Sequence, residues 1–509
     1  VSLPSTVAID VSITGVCLDS RAVRPGDLYA ALPGLRTHGA RFTATAVESG
    51  AVAVLTDPAG AELLAELGEA RLPVLVVPDP RATLGGLAAW LFGEPARQLL
   101  MFGVTGTNGK TTTTFLLDDA LRRGGRRCGL VGTVGTRIVD EWLPSVRTTP
   151  EAPDLQAHLA RMVAMGADTC SMEVSSHALS MGRVDGVQFD VVSFTNLSQD
   201  HLDFHPTMEA YFAAKAELFE PSRGKRGVIC VDGDWGRRLA GSAGIPVVTV
   251  RSTPVSAAGT ADEVPAADWQ VSDQRPDGGG TAFTLDGPDG QRVAARCPLP
   301  GDFNVANTAL ALVMLVTAGF ALEDAADWLA RAEPVPGRME PIAGPGTDGE
   351  PLAVVDYAHT PDAVEAALRT LRGTRPGPLV VVLGAGGDRD TEKRPLMGAA
   401  AARQADVVIV TDDNPRSEVP AAIRAAVLAG ARPLGGEVLE IADRRAAVQE
   451  GVRRAWGGGT LLVAGKGHER GQEVAGTVHP FDDRDVVAEA LRRATGSQEP
   501  DPKEPEAKK

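Results

Sequence analysis

Gly103-Val104-Thr105-Gly106-Thr107-Asn108-Gly109-Lys110-Thr111-Thr112 stands between an apolar run, 99–104, and a helical pattern, 113–123. A strand that runs into spaced glycines and restarts as a helix predicts a phosphate loop in a parallel α/β sheet. Glycines let backbone amides turn inward on phosphate oxygens. Gly106, Thr107, Asn108, Gly109, Lys110, Thr111 and Thr112 are therefore the candidate nucleotide contacts. Lys110 is placed to bridge β- and γ-phosphates, and the Thr111 hydroxyl to bind Mg²⁺ at the helix start. The strict G-x-x-x-x-G-K-[ST] pattern fails, because its first glycine position is Val104. A glycine-rich turn without nucleotide is the rival, and the strand and helix flanks argue against it. These residues alone give phosphate chemistry on ATP or GTP and leave the acceptor open.

The same alternation of strand and helix runs on along the chain, at 128–134, 169–174, 191–195 and 227–231, and again from 352 to 464. At roughly 150 residues per domain, 509 residues make about three domains. The predicted class is α/β. Residues 1–97 read as a small α/β unit, 98–335 as a P-loop ATPase-like domain with a mostly parallel sheet, and 336–493 as a Rossmann-like, doubly wound domain. Residues 252–290 read as edge hairpins and loops, and 494–509 as a solvated, disordered tail.

Lys and Arg number 50 against 66 Asp and Glu, a net charge of −16. That balance disfavours nucleic acid, so anionic ligands must be held by local amides, Arg, Lys or metal. The five cysteines contain no C-x-x-C pair and read as buried thiols, excluding a zinc site and a disulfide scaffold. The N-terminus lacks a signal-peptide pattern and no run of about 18 apolar residues occurs, so a cytoplasmic protein without membrane insertion is expected.

Glu173 and His201 lie just after apolar runs, at the carboxyl edge where open α/β sheets bind ligands, and are candidate Mg²⁺ ligands. Lys215, in the helical stretch 211–219, is a single lysine among small and apolar residues, whose ordinary fate is to snorkel to solvent. In the third domain, loops carrying Arg389 and the run Asp413-Asn414-Pro415-Arg416 open on one sheet edge, and Gly465 and Glu469 follow the strand 460–464. Two arginines for carboxylates, with Asp413, Asn414 and Glu469 for ammonium groups, fit an amino acid with a carboxylate at each end. The glycines at 384–387 have the wrong spacing for a dinucleotide fingerprint.

GTNGKTT resembles the variant phosphate loop of the Mur ligase superfamily, which includes folylpolyglutamate synthetase. SMEVSSH, TNLSQDHLD, YFAAKAELF, FNVAN, PGRME and DYAHTP resemble further motifs of that family. The resemblance implies that Glu173 and His201 bind two magnesium ions. It implies that Lys215 is carbamylated by CO₂ to become an anionic ligand, that Asn304 helps hold adenine, and that Arg338 lies near the nucleotide. Lys110, Lys215 and His201 are then the catalytic candidates. Leu18-Asp19-Ser20-Arg21 with Pro25-Gly26-Asp27-Leu28-Tyr29 resembles the family's uridine-binding motif, and 35–39 the loop that follows it, so Leu18 and Ser20 are expected on the acceptor. Arg147, Thr148, Thr149, Ser175 and Arg183 match positions that hold UDP-MurNAc-dipeptide. Met181 stands where Gln is frequent, so that contact is not carried over.

DNPR is similar to the signature of the diaminopimelate-adding branch, and GKGHE completes it. The implied activity is ATP-dependent addition of diaminopimelate to the D-Glu γ-carboxylate of UDP-MurNAc-L-Ala-D-Glu through an acyl phosphate, by a monomer with small-molecule partners only. Addition of L-lysine, another Mur or folylpolyglutamate ligase, and a P-loop switch or motor are the alternatives, in that order.

Overall fold

The computed structural model describes residues 11–494 except 35–36, 69–71, 146, 254–265, 278–279 and 345. The expectations for residues 495–509 of the tail, for residues 35–36 of the uridine-region loop and for 254–265 and 278–279 of the 252–290 segment lie outside the described residues.

Three large sheets follow one another along the chain, and a two-stranded sheet, Gly471–Val474 with Thr477–Pro480, follows the last strand of the third. Gly15–Cys17, Asp27–Ala30, Ala53–Thr56 and Val74–Val76 form a four-stranded parallel sheet in chain order. Leu28, Leu55, Leu84 and Ala88 fill one of its faces, where the helix Pro80–Leu91 packs.

The second sheet has eleven strands. Its parallel centre runs Val247–Arg251, Gly224–Cys230, Phe189–Phe194, Leu100–Thr105, Thr169–Glu173, Cys128–Val131. Trp269–Asp277 continues the parallel run beside Val247–Arg251, and antiparallel strands extend both edges beyond, among them Gly280–Asp286, its antiparallel neighbour. Strands such as Leu100–Thr105 are buried on both faces and so read as continuous apolar runs. The helix Asp302–Ala318 is apolar all round and buried for most of its length, which fits its place against the helix Lys110–Arg123 and the sheet. Each fully buried Leu or Val there stabilises the fold by about 1.5–3 kcal/mol.

The third sheet runs Glu340–Ile342, Leu352–Asp356, Thr460–Ala464, Leu379–Leu383, Val407–Val410, Glu437–Glu440, with only the first strand antiparallel. Separate apolar clusters cover its two faces, as a doubly wound sheet requires. Its strand order carries the loops after Asp356, Ala464, Leu383 and Val410 to one edge, side by side. No helix among the described residues is long and apolar enough to cross a membrane. All five cysteines are free; four are buried, and Cys17, expected buried, is half-buried.

Candidate active site

The loop after Leu100–Thr105 becomes the helix Lys110–Arg123, three residues earlier than the apolar periodicity predicts. Gly109, at φ 88°, makes the turn that allows it, and a Cβ there would meet Asn307 Oδ1 at 2.4 Å. Lys110 folds back, its Nζ donating to the carbonyls of Gly106 at 2.9 Å and Thr107 at 2.8 Å. Lys215, on the helix Met208–Ala216, donates to the same Gly106 oxygen at 2.7 Å. Instead of snorkelling it is 1% exposed, with its Nζ 4.5 Å from the Tyr211 ring centre. Burial, and then the neighbouring Lys110 charge, push its ammonium well below the ordinary lysine range, against the pull of Asp200.

Two sets of candidate metal ligands flank this loop. Glu173, 1% exposed, accepts from Thr111 Oγ1 at 3.0 Å, Thr133 N at 2.7 Å and Thr133 Oγ1 at 3.0 Å. His201 takes φ 56° beside Asp200, its ring 4.8 Å from His177 and 6.0 Å from Tyr211. Burial lowers the His201 imidazole to about 3, so it is neutral and able to ligate. Thr111 and Glu173 offer the hard oxygens Mg²⁺ prefers. Lys215 as an amine offers none, and a carbamate would supply an anionic oxygen while relieving the clash with Lys110.

Asn304 stands in the first turn of the helix Asp302–Ala318. It is 1% exposed, and its amide donates to Pro300 O at 2.7 Å and accepts from Asn307 at 3.0 Å. It braces the start of its helix, and Asn307 is the asparagine that reaches the phosphate loop. Arg338 lies against the loop helix: Nη2 donates to Thr111 Oγ1 at 3.0 Å, and the guanidinium sits 4.4 Å from the Tyr357 ring centre.

A cavity of about 1030 Å³ opens between the first and second sheets, lined among others by Leu18, Ser20, Arg147, Glu151 and His158. From its rim the remaining acceptor candidates lead toward Glu173. Arg183 Nη1 donates to Thr149 O at 3.4 Å, Thr149 Oγ1 donates to Glu173 O at 2.8 Å, and Ser175 N donates to Thr149 Oγ1 at 3.2 Å. Thr148 Oγ1 lies 3.0 Å from Thr133 Oγ1. Glu151 joins the arginines, 2.9 Å from Arg183, 3.7 Å from Arg147 and 3.5 Å from Arg81 of the first domain.

The third sheet's loops close over the second. His468 Nε2 lies 3.1 Å from Thr133 O, with its Nδ1 3.3 Å from Arg338. Asp200 meets Lys393 at 3.1 Å and His359 at 3.7 Å. Within the third domain, Arg389 is exposed, and Arg416, at φ 52°, donates to Gly387 O at 2.6 Å and lies 3.4 Å from Glu473. Gly387 N donates to Asn414 O at 2.8 Å, fastening the chain just before Pro415.

Asp413, Asn414 and Glu469, the residues expected to take ammonium groups, are also engaged by a lysine of the chain itself. Lys466 Nζ, fully buried, lies 2.9 Å from Asn414 Oδ1, 3.2 Å from Glu469 and 3.5 Å from Asp413. Burial pushes the Asp413 carboxyl up, but Lys466 and Arg444 outweigh it and hold it below its ordinary value. Gly465 is obligatory here, since at φ 113° a Cβ would lie 2.4 Å from Asp413 Oδ2.

Glu151, Asp200, Lys393 and Lys466 escape sequence reasoning as site residues, because each acts on partners brought in by the fold. Asp200 and Lys466 stand inside the TNLSQDHLD and GKGHE motifs, but nothing in the sequence names the partners they meet.

A phosphate loop at the carboxyl edge of the second α/β sheet, with a cavity between that sheet and the first and loops of a third sheet on its other side, defines a nucleotide-using enzyme. The Mur ligase family, catalytic domain, matches residues 12–90; the Mur ligase middle domain, 104–315; and the Mur ligase, glutamate ligase domain, 337–467. The chain is 53% identical over 489 residues to the UDP-N-acetylmuramoyl-L-alanyl-D-glutamate--2,6-diaminopimelate ligase of Streptomyces coelicolor, covering 95% of this chain and 93% of that one. It is 49% identical to the Corynebacterium glutamicum protein of the same name, over 98% and 95% of the two chains. A solved structure of a ligase of that name superimposes with a TM-score of 0.63 at 35% identity, over 96% of this chain and 98% of that one. The chain belongs to the Mur ligase family.

Proposed function

We propose that this ligase uses ATP to join diaminopimelate to the D-Glu γ-carboxylate of UDP-MurNAc-L-Ala-D-Glu, a step of peptidoglycan synthesis. The observation that carries the reading is the meeting of three segments at Thr111, whose Oγ1 donates to Glu173 at the end of the cavity path and receives from Arg338, with third-domain Lys393 and His468 reaching the same side. The names of the relatives support the amine and the acceptor.

ATP phosphorylates the acceptor carboxylate, turning a poor leaving oxide into phosphate. The amine attacks the acyl carbon, and the tetrahedral intermediate expels phosphate. Lys110 offsets charge on the transferring phosphoryl group, and the third domain brings the amine into line and excludes water. Mg²⁺, when bound, offsets further phosphate charge; Thr111 and Glu173 would hold one ion, His201 and carbamylated Lys215 the other. Leu18, Ser20, Arg147, Thr148, Thr149, Ser175 and Arg183 take the UDP-linked acceptor. Arg389 and Arg416 take the carboxylate at the far end of the amino acid, with Gly465 and Glu469 beside them.

The three functional units are 1–97 for the acceptor, 98–335 for ATP and 336–493 for the amino acid. ATP and a UDP-linked precursor place the reaction in the cytoplasm, and each chain carries a complete set of candidate residues, as a monomeric enzyme needs. Turnover of purified protein with each amine tests the reading: faster use of lysine than of diaminopimelate would overturn it.

A further inference from the structure

The amine end of the cleft contains a buried lysine that the reaction above does not use. Lys466 follows the central strand Thr460–Ala464, and its Nζ contacts Asn414, Glu469 and Asp413 with no exposure to solvent. The cluster is rigidly built. Asn414 Nδ2 donates to Glu469 at 2.8 Å, and Glu473 N donates to Asn414 Oδ1 at 2.9 Å. Arg444, paired with Asp483 in full burial, ties the next turn of chain down through Ala464 O at 2.9 Å.

The charges decide what such a site accepts. Two carboxylates and the Lys466 ammonium leave one net negative charge at one end, and the Arg416 guanidinium stands at the other. Separated charges of this kind suit the far end of an amino acid that carries both an ammonium and a carboxylate. Without the Lys466 ammonium the acidic end would hold two uncompensated carboxylates and favour a lone ammonium.

We propose that Lys466 is the positioning residue that sets amine specificity: by cancelling one of two carboxylates, it fits the pocket to a zwitterionic end group and rejects a side chain ending in ammonium alone. This rests on the reading that the Arg416 loop binds the amino acid. Lys466→Met removes the charge at nearly constant length. It is expected to lower the ratio of kcat/KM for diaminopimelate over lysine by about tenfold or more, mostly through KM for diaminopimelate. KM for ATP should stay within about twofold, and Lys466→Arg, which keeps the charge, should keep most of the ratio.

Asn414→Asp adds a negative charge while leaving Lys466 in place, and is expected to shift the ratio in the same direction; it decides the matter if Lys466→Met does not fold. Equal loss of kcat with both amines and an unchanged ratio in the folded variants would overturn the proposal. Arg416→Ala separates the two levels. If it leaves KM for diaminopimelate unchanged, the reading of this loop fails. If it raises that KM while the Lys466 and Asn414 variants keep the ratio, only the role of Lys466 fails.

Discussion

Lys110 and Lys215 donate to one and the same acceptor, the carbonyl oxygen of Gly106, at 2.9 and 2.7 Å. Two ammonium groups on one buried oxygen repel, and the more deeply buried of them, Lys215, gives up its proton more readily. A neutral amine is what CO₂ requires. Its lone pair forms the N–C bond, the proton leaves to solvent, and the product is an anion beside a cation. Lys215→Ala should lose activity by about 10²–10³-fold. Acetate or formate should restore part of it, and ¹³C-bicarbonate should give a carbamate resonance in the wild type alone. Full activity in Lys215→Ala, or loss without rescue, contradicts the carbamate role.

Arg416 is held by the Gly387 carbonyl and by Glu473 of the strand Gly471–Val474, so its guanidinium is presented without much freedom to lose. Loss of one charge-assisted contact, about 1.5–3 kcal/mol, should raise KM for diaminopimelate by about 10–100-fold in Arg416→Ala. KM for ATP, bound at the second sheet, should hardly move. Steady-state kinetics against each substrate will tell, and parallel rises in both constants would remove the arginine from the amino-acid site.

Asp200 binds Lys393 and His359 across the gap between the second and third sheets. Lys393→Met strands a buried carboxylate, a change that costs about 3–5 kcal/mol where no other partner remains and less here, because His359 stays. The expected result is a fall in kcat shared by every amine, with unchanged selectivity and a larger radius of gyration by small-angle scattering. A variant with wild-type kcat would show that this contact does not hold the closed form.

His468 contacts both Thr133 O and Arg338, and burial first, then Arg338, lowers its imidazole to about 3. An unfolded histidine titrates near 6.5. Between those values the unfolded chain binds a proton that the folded chain does not, so stability rises with pH across this window and is lost on acidification. Wild type should therefore lose stability faster than His468→Gln between pH 6.5 and 4, by up to about one proton in slope. Equal slopes in denaturant titrations at a series of pH values contradict this.

Strands buried on both faces, such as Leu379–Leu383, and helices with Pro at the start, such as Pro361–Leu371, are legible in the sequence because local pattern specifies them. The Lys110–Arg123 helix begins earlier than periodicity predicts because a left-handed Gly109, not an apolar residue, sets its start. Motif residues such as Glu173 and Arg416 are found from their neighbours in the chain. Asp200 with Lys393, Glu151 with Arg81, and the engagement of Asp413 by Lys466 are not, since each pairing joins distant segments and leaves no periodic trace.

Mass analysis of the product tests the central claim most directly, after incubation with ATP, Mg²⁺, UDP-MurNAc-L-Ala-D-Glu and either diaminopimelate or lysine. The account predicts a UDP-MurNAc-tripeptide bearing diaminopimelate, formed with one ADP and one phosphate per bond. A product that forms faster with lysine, or ATP hydrolysis that proceeds without any amide, would contradict it.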